Sequence, residues 1–328
     1  MHDNPLRRGA LWMLALSALV AGVVLLVLAW QQPAPAPTAP AAGGLRIERE
    51  VVTEIDEAGR FPAQAAFNYQ FLDHELPIAR WRVIHYQAGD LRRAVIAYPS
   101  SAKASVFSAD PGDLRQQIWL KASQVIAEHA PDDALFLGWW DDSQRIHFAT
   151  GRETWLTAPG EVTLQQWPWS ALAGDLPAVN ADHAPRLAQL ARWLTMPADQ
   201  ALAEIARTFQ GRSVYFVVTK DLLSRIDELA RYQGNSLALI KHKIPGGGDL
   251  HGDIAQVQRW AREQASGNYL LQKEQGFYRV WATQTPAAEQ ALLVRLLPFA
   301  ESLKRLPTDV SLVWQSGWGG YLSVYQFQ

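Results

Sequence analysis

The segment GWWDDSQRIHFATGRETW, Gly138 to Trp155, places Trp139 and Trp140 directly before Asp141 and Asp142, with Arg145, His147 and Arg152 close behind. Two adjacent carboxylates can share a divalent cation through oxygen ligands. Alternatively, one of them accepts a hydrogen bond from a ligand hydroxyl while Trp139 or Trp140 stacks on its ring. Arg145 and Arg152 stand seven residues apart and fall on nearly one face if a helix persists, where two guanidiniums can grip a carboxylate or phosphate. A structural role accounts for the same residues: one aspartate caps a helix, the other complements its dipole, the tryptophans pack and the arginines form ion pairs.

The remaining chemistry-bearing segments are sparser. KHKIPGGGDLHGD, Lys241 to Asp253, mixes His242, Asp249, His251 and Asp253 with four glycines; it reads as a surface loop, with Asp249 and His251 as weak metal candidates. Asp73, His74 and Glu75 are adjacent but alternate faces in an extended chain, which makes a poor ligand set. The P-loop, H-E-x-x-H and G-x-S-x-G patterns are absent. With no cysteine, the chain has no disulfide, thiolate nucleophile, Cys-ligated metal or c-type haem attachment. No cofactor is expected. The formal charge of -2, from 30 basic and 32 acidic residues, gives no field for nucleic acid.

The elements that must position these groups read as an α/β or α+β body at 45–328. Ahead of it, residues 1–10 form a short N-terminus, 11–30 an apolar run and 31–44 a Pro/Ala spacer. The run LWMLALSALVAGVVLLVLAW is uncharged, roughly long enough to span a bilayer as a helix, and bounded by Trp12 and Trp30. Arg7 and Arg8 precede it and no Lys or Arg follows until Arg46, so the positive-inside rule predicts a cytoplasmic N-terminus and an exported body. A cleaved signal peptide is the rival reading, and it exports the body too. The spacer QQPAPAPTAPAAGG favours extended polyproline II.

Within the body, 80–86 and 93–98 predict a hairpin across QAGD, followed by a helix capped by Asp113. Ala134–Trp140 predicts a buried strand, leading into a short helix with Asp141 or Asp142 as N-cap and Gly151 as its stop. A second strand–helix unit is predicted at Ser213–Thr219 and from Asp221 to Gly234. The stretch from Asn268 to Gln284 predicts a hairpin, Pro298 should kink or divide a helical stretch, and the tail should end in two strands. A Trp/Pro-rich excursion occupies 155–185.

The Trp139-Trp140-Asp141 triplet, between a strand and QRIHFATGR, resembles the WWD-type motif in the extracytoplasmic domain of oligosaccharyltransferase catalytic subunits. That family's catalytic acids belong to a multi-span membrane region and a single span is expected here, so the resemblance implies no glycosyl transfer. Over nearly the whole chain the sequence resembles the HaoB family, in its N-terminal span, Pro/Ala linker, exported α/β body and WWD-x-x-QRI...GR segment, Trp139 to Arg152. This resemblance implies a non-enzymatic, membrane-anchored periplasmic accessory to a multihaem hydroxylamine oxidoreductase in nitrogen metabolism. A glycan- or peptide-binding module, with Trp139 and Trp140 stacking and Asp141 and Arg145 hydrogen-bonding, is the alternative, and a metal-dependent enzyme using Asp141 and Asp142 with His147 or the Asp249/His251 loop is a third reading; the ligand- or partner-binding candidates are Trp139, Trp140, Asp141, Asp142, Arg145 and Arg152.

Overall fold

The computed structural model describes residues 45–53, 55, 59–73, 76–98, 111–177, 183–246, 249–274, 277–304 and 306–328. The apolar run 11–30, the spacer, His74 and Glu75 lie outside them. Among the described residues no helix is long and apolar enough to cross a membrane.

Strands β1 (Leu45–Val52), β2 (Ala63–Asp73), β3 (Leu76–Ala88) and β4 (Leu91–Ala97) form a sheet in that order. The predicted hairpin is β3–β4, and its register, Ala88 opposite Leu91, leaves a two-residue turn in which Gly89 takes a φ of 59°. A turn this tight needs a left-handed residue, which glycine supplies without a Cβ clash.

Helix α1 (Pro111–His129) begins ahead of Asp113, which therefore stands inside the first turn and not before it. Its buried face carries Trp119, Ala122, Val125 and Ile126, while Leu114 is exposed. Then come β5 (Leu135–Leu137), α2 (Trp140–Thr150) and β6 (Glu153–Thr154). The excursion folds into two single-turn helices, α3 (Glu161–Leu164) and α4 (Trp169–Leu172), followed by α5 (His183–Thr195) and α6 (Ala198–Thr208). Strand β7 (Val214–Thr219) leads through a 3-10 turn at Lys220–Arg225 into α7 (Ile226–Gln233), which Gly234 ends at a φ of 84°.

Lys241 to Asp253, read from sequence as a loop, is mostly regular. Strand β8 (Leu239–Pro245) runs almost to the glycines, and α8 (Leu250–Gln264) starts directly after Asp249. The predicted hairpin is β9 (Tyr269–Glu274) with β10 (Phe277–Thr283), and these form a sheet in the order β8-β10-β9. Helices α9 (Pro286–Gln290) and α10 (Leu292–Leu296) are divided at Ala291, where the backbone turns extended to bridge Pro197, and not at Pro298. Pro298 instead ends α10 by holding Leu297 extended, at a ψ of 152°. Strands β11 (Val310–Gln315) and β12 (Leu322–Phe327) close the chain.

The third sheet, β11-β12-β7-β5-β6, is mixed: β5 pairs parallel with both β6 and β7, and the other pairs are antiparallel. Every residue of β7 is buried, as expected of a central strand covered on both faces. Alternation sorts the side chains. Leu135, Leu137, Val214, Phe216 and Val218 join the core under α5, α6, α7 and α10, whereas Phe136, Tyr215, Val217, Leu322 and Val324 pack with Trp119, Ala122 and Ile126 of α1. Because β6 and β7 flank β5 on opposite sides, the connections diverge there. The carboxyl ends of β5 and β7 therefore stand where ligands usually sit in such sheets.

Candidate functional site

Strand β5 ends earlier than the apolar run predicts, because the chain leaves the sheet at Gly138. A side chain there would stand 3.2 Å from the Ser143 hydroxyl oxygen and 3.3 Å from the Val217 carbonyl oxygen. Trp139 is the N-cap residue, with no side-chain cap hydrogen bond, and Trp140 is the first residue of α2. Ser143 stitches the turn, donating from its amide to the Trp139 carbonyl (2.8 Å) and from its hydroxyl to the Gly138 carbonyl (2.9 Å). Asp141 and Asp142 thus lie in the first turn of α2 and do not cap it, although their charge still complements the helix dipole.

Both carboxylates turn inward. Asp141 receives a two-pronged pair from Arg225, Nη1 to Oδ1 at 2.6 Å and Nη2 to Oδ2 at 2.7 Å. Arg145 joins it at 3.2 Å and reaches Asp142 Oδ1 at 2.7 Å with the same Nη1. The second oxygen of Asp142 accepts from the Thr219 hydroxyl at 2.9 Å, and Arg145 Nε donates to the Ile96 carbonyl at 2.7 Å. The Arg145 guanidinium lies 4.9 Å from the ring centre of Tyr98, and that of Arg225 lies 4.5 Å from the ring centre of Trp169. Burial first, then the charge of Asp141, push the Asp142 carboxyl up to about 7 against the pull of Arg145 and Arg225.

Trp139 and Trp140 are wholly buried. Their indole N–H groups converge on one oxygen of Glu228, at 3.1 and 3.3 Å, and the Thr163 hydroxyl donates to the same atom at 2.6 Å. Glu228→Ala would strand these donors away from water. The expected loss is about 1–3 kcal/mol of stability in urea unfolding, with Glu228→Gln recovering most of it; equal losses in the two variants would show that the oxygen is not what matters.

Asp221, one residue beyond Lys220 at the carboxyl end of β7, accepts from the hydroxyls of Tyr98 (3.0 Å) and Tyr321 (2.7 Å) and pairs with Arg115 at 3.1 Å. Burial works against its ionisation, but Arg115 and the Tyr321 hydroxyl overcome it and hold the carboxyl below its ordinary value. Beside this network lies a cleft of about 650 Å³, bordered by Arg145, Arg225 and Glu228 and by Trp81, Trp169 and Trp281. Trp81 and Trp169 stack at 4.8 Å, and Trp140 meets Trp169 edge-on at 5.1 Å.

The six residues singled out from sequence divide. Trp139, Trp140, Asp141, Asp142 and Arg145 form one buried cluster, and of the six only Arg145 borders the cleft. Arg152 does not share a helix face with Arg145, since α2 stops at Gly151, whose φ is 74°. It turns instead to Asp132 and to the Ala130 carbonyl at 2.9 Å. His147 Nδ1 lies 3.0 Å from the Arg152 carbonyl oxygen, the ring packs on Phe61, and burial lowers its pKa. Asp249 caps α8, accepting from the His251 amide at 3.1 Å and the Gly252 amide at 3.2 Å. Among the described residues no group of three or more metal-ligating side chains converges.

Thr219, Lys220, Asp221, Arg225 and Glu228 escaped the sequence reading as site residues. Their signal was present: a dense run of acids and bases directly after a wholly apolar strand, repeating what Asp141, Asp142 and Arg145 do after β5.

The family described as HaoA-associated protein HaoB matches residues 7–327. The chain belongs to the HaoB family. Membership makes it an accessory protein associated with HaoA in hydroxylamine oxidation. No curated protein matches the chain. Among solved structures, it is similar to the crystal structure of the C. jejuni PglB C-terminal domain, at 9% identity and a TM-score of 0.38, over 64% of this chain and 99% of that one.

Proposed function

We propose that this HaoB-family chain is a single-pass inner-membrane protein whose periplasmic body binds HaoA, the multihaem hydroxylamine oxidoreductase, without catalysing a reaction itself. The observation that carries this reading is the family match to HaoA-associated proteins across 7–327. It is supported by the uncharged run Leu11–Trp30, the arginines only on its N-terminal side and the Pro/Ala spacer, which would hold the body off the bilayer within reach of an exported enzyme. The site geometry agrees with a binding role, because Asp141, Asp142, Arg145 and Arg225 are tied to one another by ion pairs, and Arg145 and Arg225 border the cleft.

The test is native purification of the full chain from detergent-solubilised membranes of its own host. A multihaem protein should co-elute, visible by haem absorbance, and replacing 11–30 with a cleavable signal peptide, which keeps export and removes the span, should move the chain to the soluble exported fraction. Recovery of the chain from native extract with no multihaem protein would sink the partnership, and an unchanged membrane fraction after the replacement would sink the anchor.

A further inference from the structure

The wall of the cleft formed by β9, β10 and the end of β7 carries an excess of hydrogen-bond donors. Lys220 is 7% exposed and donates to the Leu271 carbonyl at 3.2 Å. An ammonium has three donors, and among the described residues no carboxylate pairs with this one. Burial alone lowers its pKa to about 8, the response expected of a desolvated cation without a counter-charge.

Strand β10 adds an indole donor. Trp281 is 7% exposed, borders the cleft, and its indole N–H is buried without an acceptor. Arg279, two residues earlier on the same face of β10, also borders the cleft, directly opposite Gln272 of β9. Of the acids that border the cleft, Asp221 is engaged by two tyrosines and Arg115, and Glu228 by three donors on one oxygen, while Asp227 lies one turn before Arg231 on α7. The half-exposed Trp167 and the partly buried Trp81 also border the cleft and supply flat apolar surface, whereas Trp169 is taken up by Trp81 and the Arg225 guanidinium. A volume of about 650 Å³ lies within the range of small-ligand pockets.

We propose that this cleft binds a small organic anion, a carboxylate carried on a flat ring, with its oxygens on Lys220 and the Arg279–Gln272 side and its ring against the tryptophans. The anion supplies the counter-charge that Lys220 lacks within the protein, and a buried charge-assisted hydrogen bond is roughly twice as strong as a neutral one. The proposal stands apart from the HaoA partnership and does not require it.

Calorimetric titration of the full chain in detergent, with benzoate as probe, tests it against two controls: benzamide, which keeps the ring and loses the charge, and acetate, which keeps the charge and loses the ring. Benzoate should saturate and bind at least about tenfold more tightly than either control. Gln272→Glu, which adds a carboxylate to a partly exposed position, and Lys220→Met, which keeps most of the buried stem, should each weaken benzoate by about tenfold or more with an unchanged circular dichroism spectrum. No saturation with benzoate, or benzamide binding as tightly as benzoate, overturns the anion site. Acetate binding equal to benzoate overturns the ring platform. Should Lys220→Met misfold, Gln272→Glu decides: unchanged benzoate affinity in that variant overturns the proposal.

Discussion

Arg145→Met is expected to lower the free energy of unfolding by about 3–5 kcal/mol, the scale on which a buried ion pair is lost when one partner is removed. Arg145 answers two adjacent carboxylates, at 3.2 Å for Asp141 and 2.7 Å for Asp142, and fastens α2 to β4 through the Ile96 carbonyl. Without it, Arg225 is left to balance both aspartates from its place against Asp141. Methionine fills much of the volume beside Tyr98 and Trp119, so the loss reports charge more than cavity. Adding Asp142→Asn to Arg145→Met should return part of the stability at pH 8, where the substitution removes a carboxylate left without its guanidinium, and less at pH 5, where Asp142 is protonated. Arg152→Met is the control: its partner Asp132 is exposed, and a loss of about 1 kcal/mol or less is expected. Equal small losses at Arg145 and Arg152 in urea unfolding would contradict a desolvated cluster.

The second large effect is on pH. Asp142 has an ordinary carboxyl pKa of 3.8 that the fold raises to about 7, by burial first and by the neighbouring Asp141 second. A raised folded-state pKa means the native chain holds this proton more tightly than the unfolded chain does. The stabilisation is therefore complete below about pH 4, shrinks as pH rises through about 7, and is gone above it. Asp142→Asn keeps the shape and removes the titration. Relative to the unsubstituted chain, it should gain on the order of 1–3 kcal/mol at pH 8 compared with pH 5. Denaturant midpoints at the two pH values measure this directly. A difference independent of pH would mean that Asp142 is ionised throughout, with Arg145 and the Thr219 hydroxyl outweighing its burial.

Much of the framework was readable from local rules. Gly151 and Gly234 end α2 and α7 where the sequence places a left-handed residue after the last helical turn. The hairpins β3–β4 and β9–β10 follow from turn residues between β-rich runs. The errors share a cause. The apolar run Ala134–Trp140 reads as one strand, yet the chain leaves the sheet at Gly138, where a side chain would crowd the Ser143 hydroxyl and the Val217 carbonyl, and both tryptophans pass to the helix start. Likewise Asp141 and Asp142 look like caps because the arginine that binds Asp141 from outside α2 stands 84 residues later. Arg152 looked like a partner for Arg145 because seven residues bring a helix back to one face, and the left-handed backbone at Gly151 ends the helix one residue before it.

By itself the sequence determined the alternation of strands and helices, the stops at glycine, the absence of thiol chemistry and the likeness to the HaoB family, all of which depend on residue type and near-neighbour spacing. Only the tertiary structure decided that WWDD faces inward, because the parallel pairing of β5 with β7 sets Asp141 and Asp142 beside Arg225 and Thr219 and sets Trp139 and Trp140 over Glu228. Once buried, a carboxylate needs partners on every open side, and those partners come from whichever segment the sheet places next to it. The tryptophans bordering the cleft are consequently Trp81, Trp167, Trp169 and Trp281, drawn from β3, the excursion and β10, while Trp140 meets Trp169 edge-on and Trp139 packs on Tyr232.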